Sequence, residues 1–384
     1  MEKMTSNRYS GRMEFQMKKC LKRLLAGLGV LGCMCIFFAM PAYAQEAAPE
    51  QETVEYTVKY EKENILMIPG EIRMISTSVP GDSRCESADS NVVVIANNGQ
   101  MTAQKVGTTK VTHTTGTTKT IYTVVVNDTV DLIVFAGQSN MCGSGGNASE
   151  APTPKYGTAY EFDITTESNR TILMQEPFGE GTNRVNGLES TGNYSTNGTL
   201  VSAFCINYYK QTKTPVVGLS CAWGGSSTNT WLNRGLLTKT QKNLKLAKKQ
   251  LKKNKIKIRH IYMVWYQGES DAAQSVSADT YISRMKKIYK RMHKIGVEKI
   301  FMIRIGHDLC APDMNYTIMG AQSKLCSTNK NFVLVSKKAA DYINSHRTYY
   351  ADTIHLNQKA LNAVGYEAGK AAGKYVKKQG KKKN

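Results

Sequence analysis

Proline is scarce in this 384-residue chain, with 9 residues, and tryptophan scarcer, with 3. Histidine numbers only 6, and the 30 acidic residues fall well short of the 51 lysines and arginines, leaving a formal net charge of +21. So little proline excludes a polyproline or collagen-like chain, and an apolar content of 41% excludes disorder throughout. No Cys-x-x-Cys pair and no His/Cys cluster at metal-ligand spacing occurs, so a structural zinc site is not expected. The length suits one large domain or two ordinary ones.

Long apolar runs are equally rare. The one that stands out, Leu24 to Met40, follows the basic run Met17-Lys-Lys-Cys-Leu-Lys-Arg23 and precedes Pro41-Ala42-Tyr43-Ala44. A basic start, a short apolar stretch and a small-x-small site follow the plan of a secretory leader, with cleavage after Ala44 and no stable membrane span afterwards. The rivals are a lipid anchor at Cys33 and an uncleaved membrane helix. Of the 9 cysteines, Cys20, Cys33 and Cys35 fall in this leader. Cys85, Cys142, Cys205, Cys221, Cys310 and Cys326 remain, an even number that permits disulfides without choosing among fifteen pairings. The expected location is secreted or at the surface of a bacterial cell.

Residues 45–54 read as a polar linker. From 55 to 128 the chain is rich in Val, Thr and Ile without helical period, in short runs bounded by Gly and Asn, and Asn97-Asn98-Gly99 is a hairpin signal. These features predict a β-sandwich. Pro69-Gly70-Glu71, Ser87 to Val93, Asn98 to Ala103 and Val106 to Thr112 resemble bacterial Ig-like domains of group 2, although Cys85 replaces their usual aromatic. That resemblance implies a spacer or an adhesion module.

After Asp128 strands alternate with amphipathic helices, the α/β signature. Five apolar runs read as buried parallel strands: Leu132–Ala136, Pro215–Leu219, His260–Trp265, Ile300–Ile303 and Phe332–Val335. Tyr281, Met285, Ile288, Met292 and Ile295 share one face of a predicted helix from Ala278 to Ile295, stopped by Gly296. The expected fold is a flavodoxin-like three-layer α/β/α domain over 129–374, with a Lys-rich tail at 375–384. Its chemistry belongs at the carboxyl ends of the strands.

Four short blocks lie at such places. Gly137-Gln138-Ser139-Asn140-Met141 follows the first strand and puts a serine in a tight turn whose backbone N–H groups can meet an anion, although a polar loop explains it too. Ala222-Trp223-Gly224-Gly225-Ser226-Ser227 follows the second, where paired glycines let backbone approach a ligand or simply turn. Trp231, downstream, either floors a sugar or packs. Gln267-Gly268-Glu269-Ser270-Asp271 follows the third and offers an amide and two carboxylates. Paired carboxylates suit glycoside hydrolysis, while Asp271 also suits a helix N-cap. Asp352-Thr-Ile-His355-Leu356 precedes the last helix. Its carboxylate can hold Nδ1–H of the ring and leave Nε2 free as a base, and an Asp cap beside a histidine is the plainer alternative. His307 is a weaker candidate, and His113, His260, His293 and His346 read as surface or packing residues.

Together, in this order, the blocks resemble the SGNH hydrolase superfamily, within it the branch of sialate O-acetylesterases and family 6 carbohydrate esterases, over roughly Asp131 to Lys374. The resemblance implies Ser139 as nucleophile, His355 as general base and Asp352 as its orienting carboxylate. It implies an oxyanion hole from the Ser139 N–H, a Gly224 or Gly225 N–H and the Gln267 amide, with Gln138, Asn140 and Glu269 in support. It implies no metal and no organic cofactor, and an O-acetylated carbohydrate, acetylated xylan or O-acetylated sialic acid, as substrate. The Gly-Pro expected ahead of the second block is missing from Asn193 to Leu200. An inactive carbohydrate-binding or adhesion protein of the same fold, and a lipase or thioesterase of the superfamily, are the alternatives.

The charge sits away from these blocks. Residues 239–299 hold 17 basic against 4 acidic residues, and 374–384 hold six lysines. Helix faces and a tail of this kind, without interleaved aromatics, do not read as a nucleic-acid site. They predict weak, salt-sensitive attraction to anionic cell-wall polymers or acidic glycans.

Overall fold

The computed structural model of the chain describes residues 55–62, 64–75, 83–164, 170–179, 198–343 and 346–380. The expected leader, its cleavage point after Ala44, Cys33 and the linker lie outside the described residues, as do 193–197 and the last four lysine-rich positions. The described residues belong to one compact unit. No helix among the described residues is long and apolar enough to cross a membrane.

Short β-branched runs between turns give eight strands before Asp128. They are β1 (Thr57–Tyr60), β2 (Ile65–Met67), β3 (Ile72–Met74), β4 (Arg84–Ser87), β5 (Val93–Ile95), β6 (Gln100–Ala103), β7 (Gly107–Thr115) and β8 (Thr118–Val126). One sheet runs β1-β8-β7-β4, with β2 also on β8, and a second runs β3-β6-β5. The Asn-Asn-Gly signal makes the β5–β6 turn, where Gly99 takes φ +83°. Met67, Val93, Met101, Val111, Val124 and Val126 form a core separate from that of the α/β segment. Glu71 joins the two segments. Its carboxylate accepts from Ile68 N (3.0 Å), Arg73 (2.6 Å) and the Tyr160 hydroxyl (2.7 Å), and Arg73 stacks over Tyr156.

The α/β segment centres on a seven-stranded sheet. Its strands are β9 (Thr129–Gly137), β10 (Ala159–Asp163), β11 (Arg170–Leu173), β12 (Val216–Ser220), β13 (Lys257–Tyr266), β14 (Lys299–Ile303) and β15 (Phe332–Ser336), in the order β11-β10-β12-β9-β13-β14-β15. All pairs are parallel except β10–β11. The five expected strands are all present, in the order second, first, third, fourth, fifth of a doubly wound flavodoxin-like sheet. The β10–β11 edge was not foreseen because Glu161 and Asp163 interrupt any apolar run, yet both are buried.

The central pair is held in register by charge. Asp131, fully buried at the start of β9, accepts from Arg259 Nε (2.9 Å) and Nη2 (2.5 Å) and from the Tyr208 hydroxyl (2.7 Å). Arg259 sits where the β9–β13 ladder shifts by a residue, so the bulge and the ion pair fix one another. From there the pairing runs unbroken to Ala136 with Trp265 and Gly137 with Tyr266, which sets the two strand ends side by side.

Nine helices are described: α1 (Ser139–Cys142), α2 (Val201–Thr212), α3 (Thr228–Asn233), α4 (Leu236–Lys253), α5 (Glu269–Ala273), α6 (Ala278–His293), α7 (Tyr316–Thr328), α8 (His346–Tyr349) and α9 (Gln358–Gly380). The predicted stripe of α6 is buried at Tyr281, Met285, Ile288 and Met292, and Ser277 caps its start by accepting from Thr280 N. The helix ends at His293, two residues before Ile295, and Gly296 follows at φ +108°. Asp271 does not cap this helix. It lies inside α5, fully buried. The six cysteines among the described residues are all unpaired thiols. Burial pushes Cys142, Cys221 and Cys326 up to about 12, which leaves little reactive thiolate at neutral pH.

Helix α9 carries the segment just before it onto the sheet ends, and glycines allow its close approach. A Cβ on Gly365 or Gly369 would run into the Leu200 or Phe204 carbonyl at the start of α2. Gly369→Ala is therefore expected to destabilise the fold by about 1–3 kcal/mol, the usual cost of overpacking. Gly320, inside α7, has open space around the same position, so Gly320→Ala should gain about 0.5–1 kcal/mol. Urea denaturation of the two variants checks the opposite signs.

Candidate active site

Three of the four blocks begin where β9, β12 and β13 stop, at the point where the sheet order reverses. Gly137 ends β9 at φ +151°, and a side chain there would strike the Tyr266 carbonyl of β13, so only glycine permits this turn. Gln138 is extended, and Ser139 opens the four-residue α1. The N–H groups of Ser139 and Asn140 have no acceptor among the described residues, as expected of a first helical turn.

The fourth block comes from the loop ahead of α9. Asp352 Oδ1 accepts from the backbone N–H of Ile354 (2.8 Å) and His355 (2.7 Å), and Oδ2 lies 2.6 Å from His355 Nδ1. Partial burial by itself would raise this carboxyl. The His355 backbone N–H, the His355 ring and the Ile354 N–H outweigh it and hold Asp352 below the usual carboxylate range. A charged Asp352 fixes the Nδ1–H tautomer and leaves Nε2 as the free ring nitrogen.

Asn140 brings this loop to the serine turn. Its Nδ2 donates to Ile354 O (3.1 Å), and its Oδ1 accepts from Leu356 N (3.0 Å), so one amide grips the residues on both sides of His355. Ser139 is the neighbour of one partner and His355 the neighbour of both others. No hydrogen bond joins Ser139 Oγ to His355 Nε2 among the described residues.

The third block is the hub of a buried polar network. Glu269 Oε1 accepts from Asn140 Nδ2 (2.9 Å), and Gln138 Oε1 accepts from Ser270 N and Gln267 Nε2 (3.2 Å each). Asp271 accepts from Thr228 N (2.7 Å), the Thr228 hydroxyl (2.5 Å) and Gln267 Nε2 (2.6 Å), which ties in the second block. Gln267 also donates to Ser226 O (3.0 Å). Its own carbonyl oxygen of the main chain accepts from Gln322 Nε2 (2.8 Å) and the Tyr281 hydroxyl (3.0 Å).

The Gln267 amide, which the resemblance implies as an oxyanion donor, turns its NH₂ toward acceptors inside the protein. Its side chain is fully buried and its one NH₂ already meets three acceptors inside the protein. The orientation is set by Asp271, a carboxylate that can only accept. Of the paired glycines, Gly224 is buried, whereas Gly225 is exposed, at φ +63°, with no atom near enough to crowd a Cβ. Trp231 packs rather than floors a sugar: it is fully buried, edge-on to Trp265, and donates to Ser226 Oγ. Trp223, half-buried beside Gly224, is the aromatic that reaches the surface. His307 is buried, near Pro312 O, and faces a narrow crevice behind the His355 loop together with Asn140, Glu269 and Tyr350.

Sequence reasoning passed over Gln322. A glutamine among Ile318, Met319, Ala321 and Leu325, all buried, was the available signal. Among the described residues no group of His, Cys, Asp or Glu has the makings of a metal site.

Residues 129–374 match the model of one protein family, the sialic acid-specific acetylesterases among the carbohydrate esterases. The chain belongs to this family. As a carbohydrate esterase it is a carboxylic ester hydrolase. Among solved structures, it is similar to a protein from Arabidopsis thaliana, with 18% identity over 64% of this chain and 97% of the other, TM-score 0.46. It is similar also to a carbohydrate acetylesterase from Xanthomonas citri, with 13% identity over 83% and 73%, TM-score 0.40. A third is a variant of an acetyl-xylooligosaccharide esterase from Geobacillus, with 10% identity over 63% and 93%, TM-score 0.37. No curated protein matches the chain.

Two outcomes follow for this carbohydrate esterase. In Gln267→Ala, activity and thermal stability should fall together, because Asp271, Ser226 O and Gln138 lose a shared donor inside the protein. A variant with severely reduced kcat and unchanged Tm would return Gln267 to the role of a direct donor. Glu269 behaves differently. Burial raises its carboxyl, only partly offset by Asn140, and Oε2 has no partner. A raised carboxyl contributes stability that is complete below the unfolded value of about 4.3 and is lost as pH rises through the folded value. Glu269→Gln keeps an acceptor for Asn140 and should flatten that decline, read as Tm against pH from about 4 upward.

Proposed function

We propose that the protein is a serine esterase that removes O-acetyl groups from carbohydrates, with Ser139 as nucleophile, His355 as general base and then acid, and Asp352 holding the ring. The observation that carries this reading is the Asn140 amide, which holds both neighbours of His355 beside the turn that begins with Ser139. The oxyanion donors in this reading are the unengaged N–H groups of Ser139 and Gly225, with Gln267 holding the second block in place from behind. Gln138 and Glu269 act as positioning residues.

The reaction balances through one proton. His355 Nε2 takes the Ser139 Oγ proton as Oγ bonds to the acetyl carbonyl carbon, and the two backbone N–H groups stabilise the oxygen that becomes negative. The bond from carbon to the sugar oxygen then breaks, and His355 returns the proton to that oxygen. Water attacks the acetyl-serine, giving its proton to His355, and acetate leaves as Ser139 Oγ is reprotonated. Asp352 stays charged and offsets the imidazolium formed in each half.

The substrates that suit this reading are acetylated xylan and O-acetylated sialic acid. The N-terminal strands serve as a spacer of the bacterial Ig-like kind, and the leader exports the protein to the bacterial surface or beyond. The wild-type chain should release acetate from p-nitrophenyl acetate and from one of the two glycans assayed side by side. Ser139→Ala should lose roughly 10⁴-fold or more in kcat on both. Glycan binding without acetate release would instead identify an inactive carbohydrate-binding protein, and a preference for long acyl chains would identify a lipase or thioesterase.

A further inference from the structure

Part of the basic surface of this protein lines a groove that the proposed esterase chemistry leaves unused. It is an open groove of about 450 Å³ between α3 and α6, lined by Asn229 and Asn233 on one side and by Arg284, Lys287, Lys290 and Arg291 on the other. The four cations fall within about 10 Å of α6, with Lys287 and Lys290 exposed and Arg284 and Arg291 half-buried along the flank of its buried stripe. No carboxylate lines the groove. Lys287 and Lys290 are exposed and have no acidic partner among the described residues. Arg291 spends its guanidinium on neutral groups, Leu232 O, Thr238 Oγ1 and Gln241 Oε1. Arg284 is the only one paired, to Asp271 at 3.5 Å, and its buried Nη1 makes no hydrogen bond. Such a concentration of like charge is self-repelling in the free protein and favours an anion. The facing amides, Asn229 and Asn233, are joined by a 2.7 Å hydrogen bond and are suited to hydroxyl groups.

The groove lies close to the catalytic turns. Helix α3 leaves the second block directly, and four residues separate Gly225 from Asn229, so their Cα atoms are at most about 14 Å apart. At the same end, Lys239 of α4 stands 5.8 Å over the ring of Trp223, the half-buried aromatic next to Gly224.

We infer that the α3–α6 groove is a subsite for a polysaccharide carrying carboxylates on successive sugars, bound so that an O-acetyl group of the same chain reaches Ser139. This rests on the proposed esterase reading for the position of the ester, while the groove itself is read from charge and shape. No aromatic side chain lines the groove for bases to stack on, which favours a uronate chain over single-stranded nucleic acid.

The test is the double variant Lys287→Gln/Lys290→Gln, whose side chains are exposed and lie outside the catalytic machinery. On O-acetylated polygalacturonate at low salt, kcat/KM should fall roughly tenfold through KM, the scale expected for two lost exposed charge contacts. Turnover of p-nitrophenyl acetate and of neutral acetylated xylan should stay at the wild-type level. Raising ionic strength to about 0.5 M, where the screening length is far shorter than the groove, should remove the difference. An equal loss on neutral xylan, or a loss that salt does not relieve, overturns the proposal.

A second arm measures binding of Ser139→Ala to unesterified polygalacturonate, poly(glycerol phosphate) and duplex DNA. Preference for polygalacturonate, reduced in a triple variant that adds the two glutamines, supports the assignment. Equal or tighter binding of either phosphate polymer overturns it. If wild-type enzyme proves unable to hydrolyse p-nitrophenyl acetate, the Ser139 reading fails while this binding arm still decides the groove.

Discussion

Everything at the sheet ends depends on a small set of buried amides and carboxylates, each used for two or more connections. Asn140 spans the serine turn, Glu269 and the His355 loop. Gln267 and Asp271 span the first, second and third blocks. Groups so deeply buried are costly unless satisfied, and here nearly every donor is answered by another block. That makes the network selective: a strand end or loop displaced by one residue leaves several polar atoms unpaired at once. The catalytic candidates themselves make few of these bonds. Ser139 Oγ and His355 Nε2 are left open because their neighbours do the holding.

The network works only on strand ends that are already aligned. The Asp131–Arg259 pair and its bulge fix β9 against β13 at the far end of the sheet, and parallel pairing carries that register to Gly137 and Tyr266. The glycine face of α9 does the corresponding task for the last block, since close contact with α2 determines where the loop before α9 begins. Two distant constraints thus converge on Asn140, one through a sheet and one through a helix pair. Glu176 adds a third on the open side, accepting from Phe178 N, Thr199 N and Oγ1 and the Ser202 hydroxyl, which ties the start of α2 to the chain after β11.

Much of this was legible in the residues, and the rest was hidden for identifiable reasons. Apolar runs such as Leu132–Ala136 announce buried parallel strands because both faces are covered, so all five were found. The edge strand with Glu161 and Asp163 was not, because its carboxylates are paid for by tertiary partners that no local pattern records. The Asp352–His355 pair was readable, since three residues on one loop suffice to make the contact. Gln267 is the opposite case: an amide at a strand end looks available, and no local pattern records that Asp271, Ser226 and Gln138 surround it. Asp271 likewise resembles a cap locally and becomes a brace only when Thr228 arrives from another part of the chain.

The charges of the protein divide by burial. Asp131, Glu269 and Asp271 are enclosed and act on fixed neighbours at short range, where salt has little access. The lysines of α4 and α6, Lys248 apart, are exposed and act on whatever approaches, at a range that salt controls. Arg284 is where the two populations meet, with its charge in the groove and its ion pair on Asp271. Asp271 in turn holds Thr228, the residue at which the second block becomes α3. A ligand anion drawing on Arg284 would compete with Asp271 for the same guanidinium, and the carboxylate has Gln267 and Thr228 to fall back on. Arg284 is thus the one side chain shared by the lining of the groove and the polar network behind the second block, among the described residues.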